Sequence, residues 1–167
     1  CDKMIRRHPH VFGEAHIPDA AAQTRAWEAT KAAERAAKAA AEGQVASVFD
    51  NLPAGLPALK QAEKFQKRAA RVGFDWTEAK DVIGKIREEV EEVAAEFESG
   101  ASPARLTDEV GDLLFACVNL ARKAAIDPGM ALRGTNLKFE RRFRRIEELL
   151  AAQGRTPEQA SLAEMET

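Results

Sequence analysis

The stretch REEVEEV, residues 87–93, carries Glu88, Glu89, Glu91 and Glu92, and DEVGD, residues 108–112, adds Glu109 and Asp112. Carboxylates at this density either face water or hold a cation. A helix turns ~100° per residue, so each side chain can be placed on a wheel. On the helix expected over 77–98, Ile83, Ile86, Val90, Val93 and Phe97 share an apolar stripe. Glu88, Glu89, Glu92 and Glu96 fall on the neighbouring sector, with Glu89 at the border, and Glu91 points elsewhere. Glu109 and Asp112 are i,i+3 neighbours on the edge of the next helix, with Gly111 removing bulk beside them. Two antiparallel helices would set Glu89 and Glu92 opposite Glu109 and Asp112. Four such carboxylates repel one another, and a hard divalent cation is their natural partner, Mg²⁺ or Mn²⁺ before Zn²⁺. Two amphipathic helices with solvated acids are the plain alternative.

A basic stripe lies downstream in NLKFERRFRR, residues 136–145, where Lys138, Arg141, Arg142 and Arg145 share one helix face. Phe139, Phe143, Ile146 and Leu150 form a separate apolar face. The stripe alone fits a solvated surface or, weakly, a nucleic-acid contact. An acidic cation site and a cationic face in one small bundle together suit a polyphosphate.

The elements that must position these groups are helical. The chain has 167 residues, 45% hydrophobic and 31% charged, with no Tyr, and alternating apolar/polar runs are scarce. An all-α fold is expected. Residues 1–19 read as irregular, 20–42 as a helix with few large apolar residues, and 44–57 as a linker. Helices then follow over about 57–72, 77–98, 103–125 and 128–154. Their signals are Asp75 and Glu78 at capping-box spacing, Ser102-Pro103, Asp127-Pro128, and a Thr156–Gln159 capping box opening a short tail helix. The segment 113–121 is apolar nearly all round and reads as buried in a bundle or a dimer interface. Cys117 within it reads as a buried thiol.

Other classes are disfavoured. The net charge of −2 gives no global attraction to nucleic acid or anionic membrane. The longest apolar run is too short for a bilayer, and two cysteines give no disulfide framework. A reducing cytoplasm is the expected compartment. The chain begins at Cys1 rather than Met, which fits processing or a portion of something longer. His8, His10 and His16 sit in an irregular segment without the rigid geometry of a metal site.

REEVEEV, DEVGDLLFACVNLAR and NLKFERRFRRIEELL, in that order, strongly resemble the MazG nucleoside triphosphate pyrophosphohydrolases, whose signature is EExxE followed by ExxD. KRAARVGFDW (67–76) and RRHPHVFG (6–13) resemble further segments of that family. The resemblance implies an all-α, dimeric fold around a four-helix unit. It implies hydrolysis of a nucleoside triphosphate to the monophosphate and pyrophosphate, in the manner of nucleotide-pool housecleaning. It assigns Mg²⁺ to Glu89, Glu92, Glu109 and Asp112, water handling to Glu88, and substrate phosphates to Lys138, Arg141 and Arg142. Arg145 and Asn136 of the same segment are further substrate candidates. Trp76 and Phe74 are candidates for a base or sugar pocket, with core packing the favoured alternative. By the same resemblance, 1–19 looks like the tail of a preceding domain, 20–56 a connecting helix and linker, 57–154 the catalytic domain and 155–167 a tail helix. A non-catalytic dimerisation or nucleotide-sensing module is the competing reading.

Overall fold

The computed structural model describes residues 19–166. Every regular element among them is helical: α1 (Ala20–Ala41), α2 (Ala58–Ala70), α3 (Ala79–Ser99), α4 (Pro103–Lys123), α5 (Pro128–Ala152), a 3₁₀ turn (Pro157–Gln159) and α6 (Leu162–Met165). This is the all-α fold the composition predicts. None of these helices is long and apolar enough to cross a membrane. The described residues divide into two compact units, 19–55 with 67–73, and 56–66 with 74–166.

In the first unit, α1 starts at Asp19, whose carboxylate accepts from the Ala22 N–H at 2.6 Å. The helix is alanine-rich and buries little; Ala39 is its buried residue and Trp27 stays 37% exposed. Polar ties take the place of a core. The Arg68 guanidinium donates to the carbonyls of Val48 and Asp50 at 2.9 and 2.7 Å. Arg71 pairs with Glu28.

The second unit is built on the α3–α4 hairpin. Gly100, in the left-handed conformation at φ 66°, ends α3. Ser102 caps α4 with Pro103 in its first turn, and Asp127 with Pro128 does the same for α5. These starts agree with the sequence reading. Val82 is fully buried, and Ala116, Val118 and Leu150 nearly so. Burying a valine contributes about 2 kcal/mol, so this short list makes a thin core. Side-chain hydrogen bonds supplement it. The buried Gln66 amide donates to the Phe115 carbonyl at 2.8 Å. Lys60 bridges Glu63 at 2.6 Å and Asp127 at 2.9 Å.

Three expectations are corrected. The buried residues of α3 are Val82, Glu89 and Glu96, while Ile83, Val90 and Phe97 are exposed. The buried line is therefore about 100° round from Ile83, Val90 and Phe97, and Ile86 and Val93, which lie between, are half-buried. Leu114, Phe115 and Cys117 are exposed too, so 113–121 is not buried all round within one chain. The α3 capping box is Glu78 with Asp81, not Asp75 with Glu78. At the tail, the expected Thr156–Gln159 box is present and opens a 3₁₀ turn, and a second box, Ser161 with Glu164, starts α6.

Asp75 has a different task. It accepts from the Arg122 guanidinium and, at 2.9 Å, from the Lys123 ammonium, while Lys123 also reaches the Trp76 carbonyl. This clamp fastens the segment before α3 to the end of α4. The Arg122 hydrogen bond, followed by that from Lys123, holds the Asp75 carboxyl at about 2. A depressed folded value stabilises the protein above the unfolded carboxyl range of about 3.9, and the effect is lost as pH falls towards 2. The urea midpoint of wild type should therefore exceed that of Asp75→Asn most above pH 4. The gap should close as pH approaches 2; a gap independent of pH contradicts the clamp.

Candidate metal and phosphate site

The hairpin brings carboxylates from both of its arms together. Oxygen atoms of Glu89 and Glu92 from α3 and of Glu109 from α4 lie within 4.8 Å of one another. The i,i+3 spacing puts Glu89 and Glu92 on one side of α3, and the tight turn at 100–102 folds Glu109 back against them. Their environments differ: Glu89 is 5% exposed, Glu109 half-buried and Glu92 exposed. Asp112, one turn beyond Glu109, is exposed and lies outside this group. Gly111 gives the site no steric allowance, since a Cβ there would meet open space.

Lys85, which the sequence reading passed over, is the cation at this cluster. Its ammonium lies 2.8 Å from Glu88 and 2.8 Å from Glu89. The signal was present as i,i+3 and i,i+4 spacing to the two acids. Both carboxylates raise the Lys85 pKa, Glu88 most strongly. Lys85 engages Oε1 of Glu89; the buried Oε2 has no hydrogen-bond partner. A buried carboxylate oxygen in that state is costly unless a cation meets it. The Glu92 carboxyl is pushed up, by desolvation first and then by the charge of Glu89, with Lys85 opposing and Glu109 adding to the rise. Hard oxygen donors, crowded negative charge and an unsatisfied buried oxygen fit a metal ion. Farther along the hairpin Arg105 pairs with Oε1 of Glu96, whose buried Oε2 likewise has no hydrogen-bond partner, so what sets Glu89 apart is the neighbouring carboxylates of Glu92 and Glu109.

The basic stripe stands apart. Lys138, Arg141, Arg142 and Arg145 are all exposed on α5, as is Asn136. Arg141, Arg142 and Arg145 line an open groove of about 820 Å³ with Leu137, Glu140, Arg144 and Glu148, and none of the clustered glutamates borders it. Arg145 is engaged by Glu148 at 2.9 Å, whereas Lys138, Arg141 and Arg142 have no ion pair among the described residues. Phe139 stacks on Phe143 with ring centroids 5.9 Å apart, yet Phe139 remains 68% exposed. Beside the Asp75 clamp, Phe74 is 83% and Trp76 44% exposed. Core packing, favoured for both aromatics from sequence, is thus not what this chain does with them. His8, His10 and His16 lie outside the described residues.

An all-helical domain whose central hairpin collects glutamates from both arms is of the class that can hold a catalytic metal between helices. Residues 78–146 match the MazG nucleotide pyrophosphohydrolase domain, so this part of the chain carries a domain of that family. It is 46% identical over 154 residues, 92% of its length, to a protein of Escherichia coli named nucleoside triphosphate pyrophosphohydrolase, 57% of which is covered. A Thermotoga maritima relative named nucleoside triphosphate pyrophosphohydrolase/pyrophosphatase MazG is 36% identical over 99% of this chain and 59% of its own. YabN of Bacillus subtilis, described as uncharacterized, is 41% identical over 99% of the chain and 32% of its own length. The chain thus spans rather more than half of the first two relatives.

The crowding gives a direct expectation. Glu92→Gln removes a carboxylate repelled by Glu89 and Glu109, so it should raise the melting temperature of the metal-free protein. An unchanged or lower value would contradict like-charge strain at the cluster.

Proposed function

We propose that this chain hydrolyses nucleoside triphosphates, ribo- or deoxyribo-, to the monophosphate and pyrophosphate with Mg²⁺, for which Mn²⁺ can substitute. The observation that carries the reading is the meeting of Glu89, Glu92 and Glu109 with a buried Glu89 oxygen left unsatisfied. These three residues would hold the metal, with Asp112 swinging in as a further ligand. When bound, the metal supplies Lewis-acid polarisation and charge neutralisation at the phosphates.

The chain's own residues do the remainder. The oxygen of water bonds to the α-phosphorus and stays on the monophosphate, while the bond from that phosphorus to the α–β bridging oxygen breaks and pyrophosphate leaves with the bridging oxygen. The water proton passes to a carboxylate, for which Glu88 is the candidate, held beside Glu89 by Lys85. Lys138, Arg141, Arg142 and Arg145, with Asn136, bind the phosphates, and Trp76 lies against the base or sugar. The exposed apolar residues Ile83, Val90 and Phe97 of α3 and Val110 and Leu114 of α4 suit burial against a second copy of the chain, in a homodimer. That association offers a route for the stripe of one copy to face the acids of its partner. The domain plan follows, with 57–154 catalytic, 20–56 connecting, 1–19 the tail of a preceding domain and 155–167 a terminal helix. The compartment that suits such nucleotide-pool housecleaning is the cytoplasm, with neither nucleic-acid polymer nor membrane as partner.

Pyrophosphate release from a panel of NTPs and dNTPs, with and without Mg²⁺, tests the activity. Release should require the metal. Glu89→Gln and Asp112→Asn should each reduce kcat by at least about a hundredfold, the scale seen when a key electrostatic group is lost. Binding without turnover on every nucleotide would favour a sensing module instead. For the assembly, Val90→Glu should shift the chain from dimer to monomer in sedimentation; a monomeric wild type would refute the dimer.

A further inference from the structure

We propose that Lys85 is an internal counter-cation: it stands in for the metal while the site is empty and is exchanged for it when a divalent cation binds. The inference rests on the metal reading above. Glu89 is 5% exposed, and an ionised carboxylate at that depth needs a positive partner. Lys85 is the one cation that meets it among the described residues, at 2.8 Å, and it reaches only Oε1. The same ammonium spans to Glu88 at 2.8 Å, so a single charge serves two acids. Lys85 acts on Glu92 only through its charge at longer range, and neither Glu92 nor Glu109 has an ion pair among the described residues. Compensation is therefore enough to keep Glu89 buried but leaves the cluster short of positive charge.

The side chain is suited to exchange. It is 33% exposed and sits on a flexible four-carbon stem, so it can turn to solvent without backbone movement. A divalent cation arriving on Glu89 and Glu92 repels the ammonium and removes its reason to stay. The device keeps the hairpin assembled between metal-binding events, at the cost of weaker metal affinity.

The experiment uses the full chain. Mn²⁺ affinity is read by the electron paramagnetic resonance of free Mn²⁺, and the metal-free melting temperature is measured alongside, for wild type, Lys85→Met, Lys85→Gln and Lys85→Arg. Lys85→Gln keeps a hydrogen-bond donor without the charge and serves if Lys85→Met does not fold. The neutral variants should melt below wild type without metal and bind Mn²⁺ at least about fivefold more tightly, the lower end of ordinary site coupling. Lys85→Arg should resemble wild type in both. Binding by wild type with no gain in the neutral variants overturns the exchange alone. No Mn²⁺ binding by wild type overturns the metal reading and the exchange with it.

Discussion

A buried glutamate is the constraint around which the α3–α4 hairpin is arranged. Glu89 lies where a helix pair would ordinarily place a leucine, on the line of buried residues that runs from Val82 through Glu89 to Glu96. Each buried acid on that line is met by a cation, Lys85 for Glu89 and Arg105 for Glu96. Burying charge in this way is rarely the cheapest route to stability. It leaves carboxylates at the helix–helix seam, from which Glu92 and Glu109 complete a cluster that water alone would serve poorly.

The constraint also explains what the second unit lacks. With acids on the face turned to α4, few apolar side chains are left for that seam, and the core is short. The apolar residues stand instead on an adjacent face, exposed at Ile83, Val90 and Phe97. Specific polar ties hold the surrounding helices: Gln66 to a backbone carbonyl of α4, Lys60 to the α5 cap, and Asp75 to the end of α4. A hairpin with charge on one face and apolar surface on the next is suited to work as half of an assembly.

Much of this was legible in the sequence. Helix starts at Ser102-Pro103 and Asp127-Pro128 follow from local chemistry, because a cap needs only its own first turn. The convergence of Glu89, Glu92 and Glu109 followed from i,i+3 spacing and an antiparallel turn, and the order of motifs gave the family. What escaped was set by distant residues. Asp75 has capping-box spacing, but two cations at 122 and 123 outcompete the helix end for it. A wheel separates polar from apolar faces but does not say which one meets a neighbouring helix of the same chain. Glu89 was therefore placed at a border and Cys117 inside, whereas Glu89 is buried and Cys117 exposed. Lys85 was hidden for a simpler reason: one lysine beside four glutamates reads as surface pairing until the burial of its partner is known.

The central claim is that this hairpin is a metal site whose first arm supplies Glu89 and Glu92 and whose second supplies Glu109. Anomalous diffraction at the manganese edge, from crystals of the chain grown with Mn²⁺, tests it most directly. The account requires one strong peak within about 2.2 Å of carboxylate oxygens from all three glutamates, the distance expected of a small hard cation. Absence of a peak there, or a peak at carboxylates elsewhere in the chain, would contradict it.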